Sequence, residues 1–103
     1  MRIERNERSG RSELLISSES DWSLFEELAR ALKANLGGDW TEQLNGSDQR
    51  YWDLRVGNGV ITLHLEHYLG ISIFPASDSH DQQASTALIE KAYVFLSNYE
   101  HVA

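Results

Sequence analysis

Between Ile61 and Ile73 the chain alternates with a period of two. The odd positions read Ile61, Leu63, Leu65, His67, Leu69, Ile71, Ile73, and the even positions read Thr62, His64, Glu66, Tyr68, Gly70, Ser72. Successive side chains of a strand point to opposite faces, so this pattern predicts an aliphatic row beneath and a polar row above. The preceding stretch does the same, with Trp52, Leu54 and Val56 against Tyr51, Asp53 and Arg55. Gly57-Asn58-Gly59 lies between the two stretches, and these residue types tolerate positive φ, which predicts a tight hairpin. A sheet with one apolar and one polar face is characteristic of antiparallel pairing; parallel strands read as continuous apolar runs.

The remaining pattern supplies the other elements. Residues 13 to 17 form a short apolar run suited to a strand. Trp22, Phe25, Leu28, Ala29, Leu32 and Leu36 recur at helical spacing, with N-cap candidates from Ser18 to Asp21, a capping box of Ser23 with Glu26, and Gly37-Gly38 as the stop. Residues 39 to 44 suit a strand with Trp40, Glu42 and Leu44 on one face, and Asn45-Gly46-Ser47-Asp48 is a turn signal. A bend at Tyr68 to Gly70 divides the second alternating stretch, and Pro75 closes the sheet region. A last helix is expected from Ser79, capped by Ser79 and Gln82, with an apolar stripe of Ala84, Leu88, Ala92, Phe95, Leu96 and Tyr99. Residues 1 to 12 carry little apolar content and read as a mobile tail, the alternative being a strand over residues 2 to 7 turning at Ser9-Gly10. The expected order is β-α-β-β-β-(β)-α. It gives an α+β two-layer sandwich in which two helices cover the Trp52/Ile61/Leu63 face of an antiparallel sheet of three to five strands.

Composition narrows the class. A single domain of 103 residues buries about two-thirds of its unfolded surface. Hydrophobic content of 41% and charged content of 24% are ordinary for a globular protein. No window approaches the roughly 18 to 20 apolar residues of a membrane span. The first residues lack the apolar segment of a secretion signal, so cytoplasmic residence is expected. There are no cysteines, hence no thiolate catalysis or thiolate metal site. Residues 1 to 12 hold four arginines against two glutamates, whereas the rest holds five basic and fourteen acidic residues within a total of −7. An acidic body opposes nucleic-acid binding, which depends on neutralising phosphates. It is suited to steering a basic partner, although solubility alone also accounts for it.

The sequence contains one cluster with ligand chemistry, His64-Leu65-Glu66-His67. Imidazole and carboxylate suit zinc, iron or nickel, but on a strand only His64 and Glu66 share a face, roughly 7 Å apart. Asp53 supplies a third group only if the hairpin register allows it. Neither a metal nor a cofactor is expected. The same residues are candidates for acid–base work, with His64 oriented by Asp53 or Glu66 and Arg55 holding an anion. A flat sheet face excludes water poorly, and no nucleophile elbow or phosphate loop is present. The favoured reading is a non-catalytic protein-binding surface of Tyr51, Asp53, Arg55, Thr62, His64, Glu66 and Tyr68, because tyrosine and arginine are enriched at interfaces. Its partner is an unidentified protein or a second copy, and neither nucleic acid nor membrane is expected. The alternative is a metal- or histidine-dependent enzyme, or a small-ligand binder, centred on His64 and Glu66.

YWDL at residues 51 to 54 and LHLEHYLGISIF at residues 63 to 74 resemble small bacterial α+β proteins of unknown function, over about a quarter of the chain. In size and acidity the chain is also similar to immunity proteins that cap toxins. The resemblance implies a stand-alone bacterial cytosolic domain and assigns no catalytic residue.

Overall fold

A computed structural model describes residues 1–8, 10–77 and 80–100. The elements are β1 (Glu4–Arg8), β2 (Arg11–Ser17), α1 (Trp22–Leu36), β3 (Asp39–Asn45), β4 (Gln49–Val56), β5 (Gly59–Glu66), β6 (Gly70–Pro75) and α2 (Gln82–Ser97). The six strands form one sheet in the order β1-β2-β6-β5-β4-β3, and every neighbouring pair is antiparallel. The α+β class follows the sequence reading. The expected three to five strands become six, and a strand precedes the first one expected.

That additional strand is β1. In place of the expected mobile tail stands the alternative, an edge strand, over residues 4–8 where 2 to 7 was read, paired with β2 as Glu4↔Leu15, Arg5↔Leu14, Asn6↔Glu13 and Glu7↔Ser12. Its sequence, ERNER, has no apolar alternation because an edge strand that buries little can carry charge on both faces. It is held by the helix layer. Arg5 lies 4.7 Å over the Tyr93 ring and pairs with Glu90, both on α2, and the Met1 amine donates to the Leu96 carbonyl at 3.0 Å. Ser9 of the alternative Ser9-Gly10 turn lies outside the described residues.

The core sits between the helices and one sheet face. Leu54, Ile61, Leu63, Leu65, Ile71 and Ile73 pack with Leu24, Phe25, Leu28 and Leu32 of α1 and Leu88, Ile89, Ala92 and Leu96 of α2. Phe25 meets Trp52 edge-on at 5.1 Å, and Trp52 meets Trp40 at 5.8 Å, which seats α1 over the β3–β4 side. Helix α2 lies over β5 and β6. Its approach at Gly59 leaves no room for a side chain: a Cβ there would lie 2.7 Å from Leu88 Cδ1 and 2.8 Å from the Ala84 carbonyl oxygen. Gly57, at φ 60°, and Asn58 form the two-residue hairpin turn between Val56 and Gly59.

Both helix starts differ from the expected capping boxes. Asp21 caps α1 by accepting from the Leu24 amide at 3.1 Å, so Ser23 lies inside the first turn. Asp81 caps α2 by accepting from the Ala84 amide at 2.9 Å, and Ser79 lies outside the described residues. Asp21 is one of the N-cap candidates read between Ser18 and Asp21, and on α2 the same role falls to Asp81, which the sequence reading did not name. Gly37 ends α1, its amide donating to the Lys33 carbonyl.

Candidate functional site

The sheet face turned away from the helices is polar and concave. It encloses a groove of about 660 Å³ walled by β2, β6, β5, β4 and β3. The register explains its floor. Leu15 pairs with Ser72, Ser72 with His64, His64 with Tyr51, and Tyr51 with Leu44, so one transverse row crosses five strands. A second row runs Phe74, Thr62, Asp53, Glu42 beside it. Directly opposed residues of antiparallel strands put their side chains on the same face, so the pairing itself assembles the surface.

At its centre the His64 imidazole lies on the Tyr51 ring, with centroids 4.2 Å apart and planes 15° from parallel, while Phe74 meets His64 edge-on at 5.9 Å. The Tyr51 hydroxyl donates to Gln49 Oε1 at 2.8 Å. These contacts half-bury His64, and its Nε2 is enclosed without a hydrogen-bond partner. Burial holds its pKa below the ordinary histidine value, because desolvation penalises the imidazolium more than the nearby Glu66 and Glu13 carboxylates favour it. Thr62 donates to Asp53 Oδ1 at 2.6 Å, which fixes that carboxylate on the second row. The Arg11 guanidinium lies 4.4 Å over the Phe74 ring.

Among the described residues four groove-lining side chains are acidic, Glu13, Glu42, Asp53 and Glu66, against the one cation of Arg11. Among the described residues the carboxylates of Glu42 and Glu66 form no ion pair or hydrogen bond. Leucines mark the rim. Leu44 is 60% exposed and Leu69 is 56% exposed.

The structure brings five of the sequence-derived candidates into this groove, with Tyr51, Asp53, His64 and Glu66 lining it. Thr62 joins them. Arg55 does not line it: paired with Val60 and Asp39, it lies toward the Gly57 end in an adjacent depression with Thr41, Asn58 and His80. Tyr68 is not on the sheet face. It occupies the turn joining β5 to β6, 83% exposed and edge-on to His67, because β5 ends at Glu66 and the alternation does not pass through residues 67–69. The same turn carries His67 and Leu69 out of the apolar row they were read into.

A bulge corrects the reading of β3. Trp40 pairs with Leu54, yet Glu42 pairs with Asp53, so Thr41 is an extra residue that exchanges the faces. Trp40 therefore packs on the helix side, while Glu42 and Leu44 line the groove. A second irregularity lies between Leu15 and Ser17 in β2. Bulges bend and twist the strands that carry them, and both bulged strands wall the groove. Arg11, Glu13, Leu15, Glu42, Leu44, Ser72 and Phe74 were not among the sequence candidates. Alternation places Ser72 and Phe74 on the polar face, but the others needed the strand order.

Among the described residues no group of three or more histidine or acidic side chains is arranged to hold a metal ion. Asp53 stands opposite Thr62 rather than His64, and His67 is in the turn. Among the described residues, no helix is long and apolar enough to cross a membrane. No curated protein and no solved structure matches the chain. A family model does match over residues 1–93, and its description is Protein of unknown function (DUF3630). The chain belongs to that family.

Proposed function

We propose that this DUF3630 member is a non-catalytic protein-binding module of the bacterial cytosol and that the concave sheet face is its binding surface. The observation that carries the reading is the transverse row Leu15–Ser72–His64–Tyr51–Leu44. It sets an aromatic stack between apolar ends in a groove left uncovered by the helices. Tyrosine at the centre of a concave patch with apolar surroundings is the usual composition of an interface core. Arg55 and Tyr68 extend the surface beyond the groove as peripheral contacts.

The test is affinity capture from the source cell with wild-type protein, Leu44→Asp and Val94→Ser. Val94 is exposed on α2, away from the groove. The reading expects a protein retained by wild type and Val94→Ser and lost with Leu44→Asp. Equal capture by all three would remove the groove from consideration.

A second reading, in which His64 serves a small ligand, is favoured by the enclosed and unpartnered Nε2. A neutral imidazole can accept or donate one hydrogen bond there. It requires a compound that perturbs His64 without involving the leucine rim, and Leu44→Asp would leave that binding intact.

A further inference from the structure

The groove's charge points to the chemistry of what occupies it. We infer that the concave face takes an extended segment of a partner protein carrying arginine or lysine, its cation set beside the Tyr51–His64 stack among Glu13, Glu42, Asp53 and Glu66. This inference rests on the protein-binding reading and narrows it to one partner chemistry.

Three observations support a basic segment. First, among the described residues the lining is acidic by four carboxylates to one guanidinium, and the carboxylates of Glu42 and Glu66 form no ion pair. Complementary potential across an interface steers encounter and rejects like-charged partners. Second, the groove already displays the contact such a ligand would use, because Arg11 lies over the Phe74 ring at 4.4 Å. Guanidinium on an aromatic face is a recurrent recognition geometry, and Tyr51, 38% exposed, offers another ring. Third, the rim argues for a polypeptide over a small free cation. An amine seated at the stack would leave Leu44 and Leu69 uncovered, whereas apolar side chains flanking the basic residue would reach them. A second copy of the chain is a poorer occupant, since beyond residue 12 it holds fourteen acidic against five basic residues, and Arg5 of its basic first strand is already engaged by Glu90 and Tyr93.

The experiment uses the full chain immobilised and panned against a random peptide library displayed on phage. Selected peptides are then titrated by fluorescence anisotropy against wild type, Tyr51→Ala, the Glu42→Gln/Glu66→Gln double variant and Val94→Ser. The expected result is enrichment of arginine or lysine flanked by apolar residues. Affinity should fall about tenfold or more in the double glutamine variant, weaken as salt is raised, and stay unchanged with Val94→Ser. The glutamines keep size and shape, and circular dichroism checks that the variant is folded. Peptides that need Tyr51 but show no basic enrichment and bind the double variant equally well would overturn the inference while leaving the protein-binding reading in place. Recovery of no peptide that depends on Tyr51 would overturn both. A wild-type dimer in sedimentation that Leu44→Asp dissociates would make a second copy the occupant and overturn the cationic assignment.

Discussion

His64 and Tyr51 face each other across the β4–β5 ladder with their rings stacked at 4.2 Å, and this pair forms the floor of the sheet face turned away from the helices. Stacked pairs of this kind contribute roughly 0.5–1.5 kcal/mol beyond the area they bury. The pair is thus a modest element of stability. Its position at the centre of a groove is what gives it significance.

The histidine makes the stack sensitive to pH. The folded pKa of His64 lies below its unfolded value near 6.5, chiefly through burial. Above the unfolded value the group is neutral in both states and adds no pH dependence to stability. As pH falls from about 6.5 toward the folded pKa, the unfolded chain takes up a proton that the native chain does not, so stability declines with acidity. Glu66 and Glu13 oppose this shift without overcoming it. In an NMR titration the His64 imidazole should reach its midpoint below pH 6.5, and His64→Gln should flatten the stability slope in that window. A midpoint above 6.5 would mean that the carboxylates prevail.

The amino-terminal strand should be part of the folded unit. Deleting residues 1–8 removes the β1 ladder, the Arg5–Tyr93 contact and the Met1 bond to the end of α2. The expected cost is on the order of 1 kcal/mol or more, equivalent to about 4–8 °C in melting temperature for a domain of this size. An unchanged Tm would return this segment to the status of a tail.

Gly59 sets how close α2 comes to the sheet. Alanine there would meet Leu88 Cδ1 and the Ala84 carbonyl well inside contact distance, so Gly59→Ala should destabilise by about 1–3 kcal/mol through overpacking. Only Leu88 has a side chain that can give way, and the backbone oxygen cannot. Gly59→Ala should therefore remain destabilising even when Leu88 is shortened to valine, as chemical denaturation would show.

Leu63 is 1% exposed at the middle of the core face. Its truncation to alanine should cost on the order of 2–5 kcal/mol in urea unfolding. A loss under 1 kcal/mol would contradict the placement of that face beneath the helices.

Much of this architecture was legible because the strongest signals are local. Ile61 to Leu65 alternate without interruption, the α1 stripe repeats every three or four residues, and Gly57-Asn58 can turn in two residues. What was missed depends on partners distant in sequence. Strand β1 was legible only as the alternative to a tail, because it has no apolar pattern of its own and forms by pairing with β2. The bulge at Thr41 exchanges the faces of β3 with no glycine or proline to announce it. The bend at Tyr68 to Gly70 was legible, yet Tyr68 was still read onto the polar face, since a period of two does not show at which residue the strand ends. The groove itself was invisible for the same reason. Leu15 and Leu44 come from strands far apart in sequence, and only the order β2-β6-β5-β4-β3 sets them at opposite ends of one row.

The most direct test is amide chemical-shift mapping of the full chain as a captured partner, or a peptide selected by panning, is added. The binding account expects the largest perturbations along Leu15, Ser72, His64, Tyr51 and Leu44, with the exposed surface of α2 around Val94 unmoved. Perturbations centred on α2 and the end of α1, with the Tyr51 and His64 amides unchanged, would contradict it.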